Sequence, residues 1–180
     1  MAWLPRLKIH RHFSQDVPRE ALFGGGPVFD ARARGTLVHD ALDRLRRPGG
    51  LDPERAARAA VAVHADILPP GEAAREAVAA EVRGILDWVL ALPEFPGWAR
   101  RGHPECPILT PEGLERRPDL LVTDPDETVV VEYKTGQPSA DHERQVREYM
   151  ALLAGMDGLA PAMRAVILYL DLKTVREVRP

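Results

Sequence analysis

The stretch from Asp119 to Gly136 constrains the fold of this chain more than any other part of it. Residues 120–123 and 128–133 are β-branched or apolar runs, and Asp124-Pro125-Asp126-Glu127 between them is a turn sequence, so the segment reads as a strand pair. Side chains alternate along a strand, which puts Glu132 and Lys134 on one face and Tyr133 on the other. If Thr123 pairs with Thr128 across the turn, Asp119 falls opposite Glu132, with the two Cβ atoms only about 5 Å apart. Two carboxylates that close repel unless a cation lies between them, and this is a reason to expect a divalent metal ion. The alternative is a surface hairpin whose charges are solvated and ion-paired. Against it, Lys134 follows closely on Val129-Val130-Val131, and a charge at the inner end of a buried strand needs a reason.

The rest of the chain supplies layers for that hairpin. Residues 1–29 read as an irregular leader or linker, with Pro5, Pro18, Pro27 and Gly24-Gly25-Gly26. From residue 30 the pattern is helical, with Leu37, Val38, Ala41, Leu42 and Leu45 in one stripe, closed by Pro48-Gly49-Gly50. A second helix is predicted from Pro53, capped by Asp52, to about Ile67, and a third from beyond Gly71 until Pro93 and Pro96 stop it. Residues 105–109 read as a short strand, 139–153 as a helix, and 165–170 and 174–178 as strands. This order predicts an α/β domain over 30–180: a central mixed sheet flanked by helices, with an N-terminal helical part.

Composition narrows the chemistry. The 180 residues suffice for one domain, and 45% hydrophobic with 28% charged residues is the balance of a globular chain. A net charge of −3 does not advertise a nucleic-acid binder, so such contacts would come from local arginines or from bound metal. Arg32, Arg34, Arg116, Arg117, Arg144 and Arg147 are candidates for a phosphate path, with Glu115 offsetting part of their charge. Cys106 stands alone, which leaves no intrachain disulfide and no four-cysteine cluster. No signal-peptide layout and no apolar run of about 20 residues is present, so the expectation is an intracellular, cytoplasmic protein without membrane contact. His10, His12, His64, His103 and His142 lack ligand spacing and read as surface residues, Trp3, Trp88 and Trp98 are too scattered for base stacking, and Gly24-Gly25-Gly26 lacks the Lys-Ser/Thr of a phosphate loop.

The ordered series of motifs resembles the RecB-like branch of the PD-(D/E)xK nucleases, a restriction-endonuclease-like fold. Gly35-Thr36-Leu37-Val38-His39 matches its G-x-x-x-H, Glu105 stands where the family has a glutamate on its first strand, and Asp119 matches its metal-binding aspartate. Glu132-Tyr133-Lys134-Thr135-Gly136 matches its D/E-Y-K-T-G segment, and Gln145 with Tyr149 its Q-x-x-x-Y. The resemblance implies catalytic Asp119, Glu132 and Lys134; metal ligation by His39, Asp119, Glu132 and the Tyr133 carbonyl; and DNA contacts from Gln145, Tyr149 and Arg117, with Gly35 and Glu105 supporting. It departs in having Glu132 where the family often has Asp. It further implies Mg²⁺ or Mn²⁺ as cofactor and no iron–sulfur cluster. The implied activity is a deoxyribonuclease, exonucleolytic rather than endonucleolytic, acting on single-stranded DNA in repair or recombination. A UvrD-like helicase in the same or a partner chain is the implied associate. The rival from another class is a non-catalytic DNA-binding or scaffold module of the same fold. Intact Asp119, Glu132 and Lys134 weigh against that rival.

Overall fold

The computed structural model describes residues 31–47 and 51–180, so the leader, His10, His12, Trp3, the glycine triplet and the Pro48-Gly49-Gly50 stop lie outside the described residues. Four helices come first. α1 (Ala31–Leu45) buries Gly35, Leu37, Val38, Ala41, Leu42 and Leu45, the stripe its spacing predicts. α2 (Pro53–Val63) begins on Asp52, whose carboxylate accepts the Arg55 N–H at 3.0 Å, with Pro53 in the first turn where no N–H is missed. It ends a turn earlier than Ile67, because the His64 N–H closes on the Ala60 carbonyl with non-helical backbone. α3 spans Glu72–Leu90.

α4 (Phe95–Arg101) was not expected, since Pro93 and Pro96 read as stops. Pro96 instead occupies the first turn, where proline is tolerated, and Phe95, Trp98 and Ala99 bury one face at helical spacing. The strand expected over 105–109 is also corrected. It is split into β1 (His103–Pro104) and β2 (Ile108–Leu109), because Glu105 has φ 44°, a left-handed backbone that ends β1. β3 (Glu115–Arg116) pairs antiparallel with β2 as a small separate hairpin.

The remaining elements follow the predicted order: β4 (Leu120–Thr123), β5 (Thr128–Lys134), α5 (Ala140–Leu153, capped by Ser139), β6 (Met163–Tyr169) and β7 (Thr174–Val178). They build a five-stranded sheet in the order β1-β4-β5-β6-β7, antiparallel except for β5 and β6, which run parallel and are joined through α5. One face of the sheet, with Leu120, Val122, Val129, Val131, Tyr133, Val166 and Leu168, packs under α1 to α4. The other, with Leu121, Val130, Ala165 and Ile167, packs under Val146, Tyr149, Met150 and Leu153 of α5. Burial on both faces explains why β5 and β6 read as continuous apolar runs rather than as alternating ones. Among the described residues no helix is long and apolar enough to cross a membrane.

Candidate active site

The antiparallel register runs from Thr123↔Thr128 to Leu120↔Val131, so the next step sets Asp119 against Glu132, as the turn predicts. The parallel partner β6 ends beside β5, where the Leu170 N–H donates to the Lys134 carbonyl at 2.9 Å. The start of β4 and the ends of β5 and β6 therefore share one edge of the sheet. α1 and α5 close on that edge from opposite faces.

Asp119 sits just outside β4 and turns its carboxylate across the strand end. Oδ2 accepts the Tyr133 N–H at 2.7 Å, and Oδ1 lies 3.2 Å from His39 Nδ1 of α1. Its own N–H points to Glu132 Oε2 at 3.4 Å. Glu132 is buried at 4% exposure and receives two donors on Oε1, Lys134 Nζ at 2.9 Å and Gln145 Nε2 at 3.1 Å. Lys134 also donates to Gln145 Oε1 at 2.8 Å, Gln145 Nε2 donates to the Tyr149 hydroxyl at 2.7 Å, and that hydroxyl donates to the Arg117 carbonyl at 3.3 Å. His39, Asp119, Glu132, Lys134, Gln145 and Tyr149 thus form one connected cluster. Gln145 and Tyr149 meet because they are one helical turn apart on α5.

Tyr133 points its ring away from Glu132 and Lys134, toward the helical core, with the His39 ring edge-on at 5.8 Å. Its backbone is oriented differently. N–H and C=O of one strand residue leave on the same side, and the Tyr133 N–H goes to Asp119, so its carbonyl also projects toward the β4 edge.

The electrostatics are unbalanced. Burial, and then the Asp119 charge, push the Glu132 carboxyl up to about 7 in spite of Lys134. Burial also opposes ionisation of Asp119, but His39, the Tyr133 N–H and Lys134 outweigh it and hold that carboxyl below its usual range. Burial would lower His39, yet the adjacent Asp119 charge wins and raises it. One buried and one half-buried carboxylate, one imidazole and a backbone carbonyl on one edge are an oxygen-rich donor set suited to a hard divalent cation. Among the described residues no group of three His, Cys, Asp or Glu side chains stands where it could hold a metal ion as placed. His39 and Asp119 are in contact, while Glu132 is turned toward Lys134 and Gln145. The chemistry of the donors fits a metal, with Glu132 required to give up part of its bond to Lys134.

Other expected residues are placed less centrally. Gly35 is buried in α1, one turn before His39. Glu105 is exposed and off any strand, touching the site only through its N–H to the Asp119 carbonyl at 3.2 Å. Arg117 is exposed and ion-paired to Glu115. The expected arginine path is largely neutralised: Arg34 binds Glu81 and Asp171, Arg116 binds Glu148, Arg144 binds Asp141, and Arg147 binds Glu143. Two histidines expected at the surface are half-buried and partnered, His64 to Asp40 at 3.2 Å and His142 to the Tyr169 hydroxyl at 3.3 Å. Sequence reasoning missed Asp171, which accepts the Gly136 N–H at 2.8 Å where Gly136 takes φ 93°. It follows the apolar run 165–170 much as Lys134 follows closely on Val129-Val130-Val131, and that parallel was the available signal.

The family profile described as PD-(D/E)XK nuclease superfamily matches residues 14–179. The chain belongs to that superfamily, whose nucleases generally use divalent metal ions and act on nucleic acid. Comparison with curated proteins finds no match.

Proposed function

We propose that this chain is a metal-dependent deoxyribonuclease whose centre is Asp119, Glu132 and Lys134. The observation that supports it most is a buried carboxylate, Glu132, set between the half-buried carboxylate of Asp119 and one lysine, with its pKa pushed up to about 7 by a conflict that a divalent cation would relieve. His39, Asp119, Glu132 and the Tyr133 carbonyl would hold Mg²⁺ or Mn²⁺. Bound there, such an ion supplies a Lewis acid for the scissile phosphate and lowers the pKa of an attacking water. Lys134, freed from Glu132 and steadied by Gln145, orients that water and offsets the charge that builds on the phosphate. Asp119 keeps His39 in place through Nδ1. Gln145 and Arg117 border the same edge and are assigned to the nucleic-acid backbone; Tyr149, expected to join them, is buried and instead holds both through its hydroxyl, with Gly35 and Glu105 in support.

Residues 30–180 form the nuclease domain in this reading, with 1–29 as leader. The motif order, which resembles the RecB-like branch, supports single-stranded DNA as substrate, exonucleolytic action in repair or recombination, and association with a UvrD-like helicase. The test is degradation of end-labelled linear and of circular single-stranded DNA with Mg²⁺ or Mn²⁺, comparing wild type with Asp119→Ala and Lys134→Ala. Metal-dependent loss of the linear strand that both substitutions abolish is expected. Cutting that survives both sinks the site assignment, and cutting of circles replaces the exonuclease with an endonuclease. A wild type that neither binds metal nor cuts favours the non-catalytic module.

A further inference from the structure

Helix α1 is tied to the active edge of the sheet at two points, and only one of them belongs to the proposed metal site. His39 reaches Asp119 at the start of β4. Arg34 reaches Asp171, in the turn after β6. The two helix residues are five apart, about 7.5 Å along the axis. The strands they reach are two places apart in the sheet, about 10 Å. The helix thus spans the ends of β4, β5 and β6 with a fastening near each side.

The second fastening is built with unusual completeness. Arg34 and Asp171 are only 12% and 10% exposed. Arg34 Nε also donates to Glu81 of α3 at 3.0 Å, which binds the helical layer into the same junction. Asp171 uses its two oxygens separately: Oδ1 takes Arg34, and Oδ2 takes the Gly136 N–H at 2.8 Å. That N–H lies two residues beyond Lys134, in a left-handed backbone that glycine accommodates. One carboxylate therefore fixes both the helix that carries His39 and the chain just past Lys134. A planar guanidinium held by two carboxylates resists rotation in a way a lysine ammonium does not.

We infer that Asp171 and Arg34 are positioning residues for the metal site, keeping His39 and the Lys134 strand end at the separation that metal binding needs. The inference rests on the proposed nuclease reading. It is tested by Mn²⁺ titration calorimetry and single-strand DNA cleavage on Asp171→Asn, Arg34→Met and Arg34→Lys, all below their melting temperatures. Asp171→Asn keeps an acceptor for Gly136 but loses the charge facing Arg34. Expected are Mn²⁺ affinity at least tenfold weaker and kcat lower with KM for DNA little changed in Asp171→Asn and Arg34→Met, with partial recovery in Arg34→Lys. Lower melting temperatures with Mn²⁺ affinity and kcat within twofold of wild type would overturn the inference and leave a fold-stabilising pair only. If the wild type binds no Mn²⁺, the metal-site assignment fails and this inference with it, a result distinct from unaltered binding in the variants.

Discussion

At the start of β6, Arg164 is buried against the sheet with its guanidinium 5.5 Å from the Trp98 ring and three carboxylates around it, Glu94 at 2.6 Å, Glu127 at 3.0 Å and Glu177 at 3.6 Å. At the other end of the same strands, buried Glu132 lies beside half-buried Asp119, and Lys134 and His39 are their only close cations among the described residues. Both clusters bury charge on the same sheet, but they resolve it in opposite ways. Around Arg164 the single buried charge is positive, and each carboxylate keeps more than a third of its surface in water. Burial disfavours its charge, but the bonds to Glu127 and Glu94 outweigh that and raise its pKa, so the ion is secured. At the active edge the buried Glu132 faces the like charge of half-buried Asp119, and its carboxyl is pushed up to about 7. Burial of charge alone does not mark a functional site. An imbalance that the protein leaves uncorrected does.

That contrast can be broken at either end. The largest effect is expected on activity at the active edge, where Lys134→Ala and Asp119→Ala should each lower the cleavage rate by about 10³-fold, measured on single-stranded DNA. Glu132→Gln sharpens the contrast through stability. Between the usual 4.5 and about 7, the folded chain keeps a proton on Glu132 that the unfolded chain has released, so metal-free stability falls as pH rises through that window. His39, also raised, loses its contribution in the same direction as pH passes its folded pKa. Glu132→Gln should therefore make the metal-free protein more stable at pH 8, by up to about 3 kcal/mol, while abolishing cleavage; urea unfolding at pH 5 and pH 8 reads it.

Arg164→Met should do the reverse, costing about 1–3 kcal/mol of stability with cleavage per folded molecule unchanged, because its carboxylates can return to water. Tyr149→Phe, which removes the hydroxyl between Gln145 and the Arg117 carbonyl, should cost about 1 kcal/mol in the same unfolding assay.

The elements that alternate or repeat cleanly were legible in the sequence. The stripe of α1, the cap of α2, the register of β4 with β5 and the bounds of β7 all follow from local patterns. What was not legible depends on tertiary context. Pro96 reads as a breaker unless Phe95 and Trp98 have a core to enter, and Glu105 reads as a strand residue unless its backbone is known to turn left-handed. The Asp119–Glu132 encounter came from one turn and strand alternation. The His39 contact came from no spacing, because α1 reaches Asp119 only after 80 residues of chain fold back; only the motif series pointed to it. The ion pairs that neutralise Arg34 and Arg116 were equally hidden, because their partners lie on distant elements, whereas Arg144 and Arg147 pair with residues three and four positions back on α5, a spacing the sequence shows.

The central claim is that a divalent cation resolves the conflict between Asp119 and Glu132. It is tested most directly by titrating Mn²⁺ into wild type and Glu132→Gln near pH 7 by calorimetry in two buffers of different ionisation enthalpy, which counts the protons released on binding. The account predicts that wild type binds with net proton release, from Glu132 and His39, and that Glu132→Gln binds far more weakly and releases fewer protons. Wild-type binding without proton release, or equal binding and release in Glu132→Gln, would contradict it.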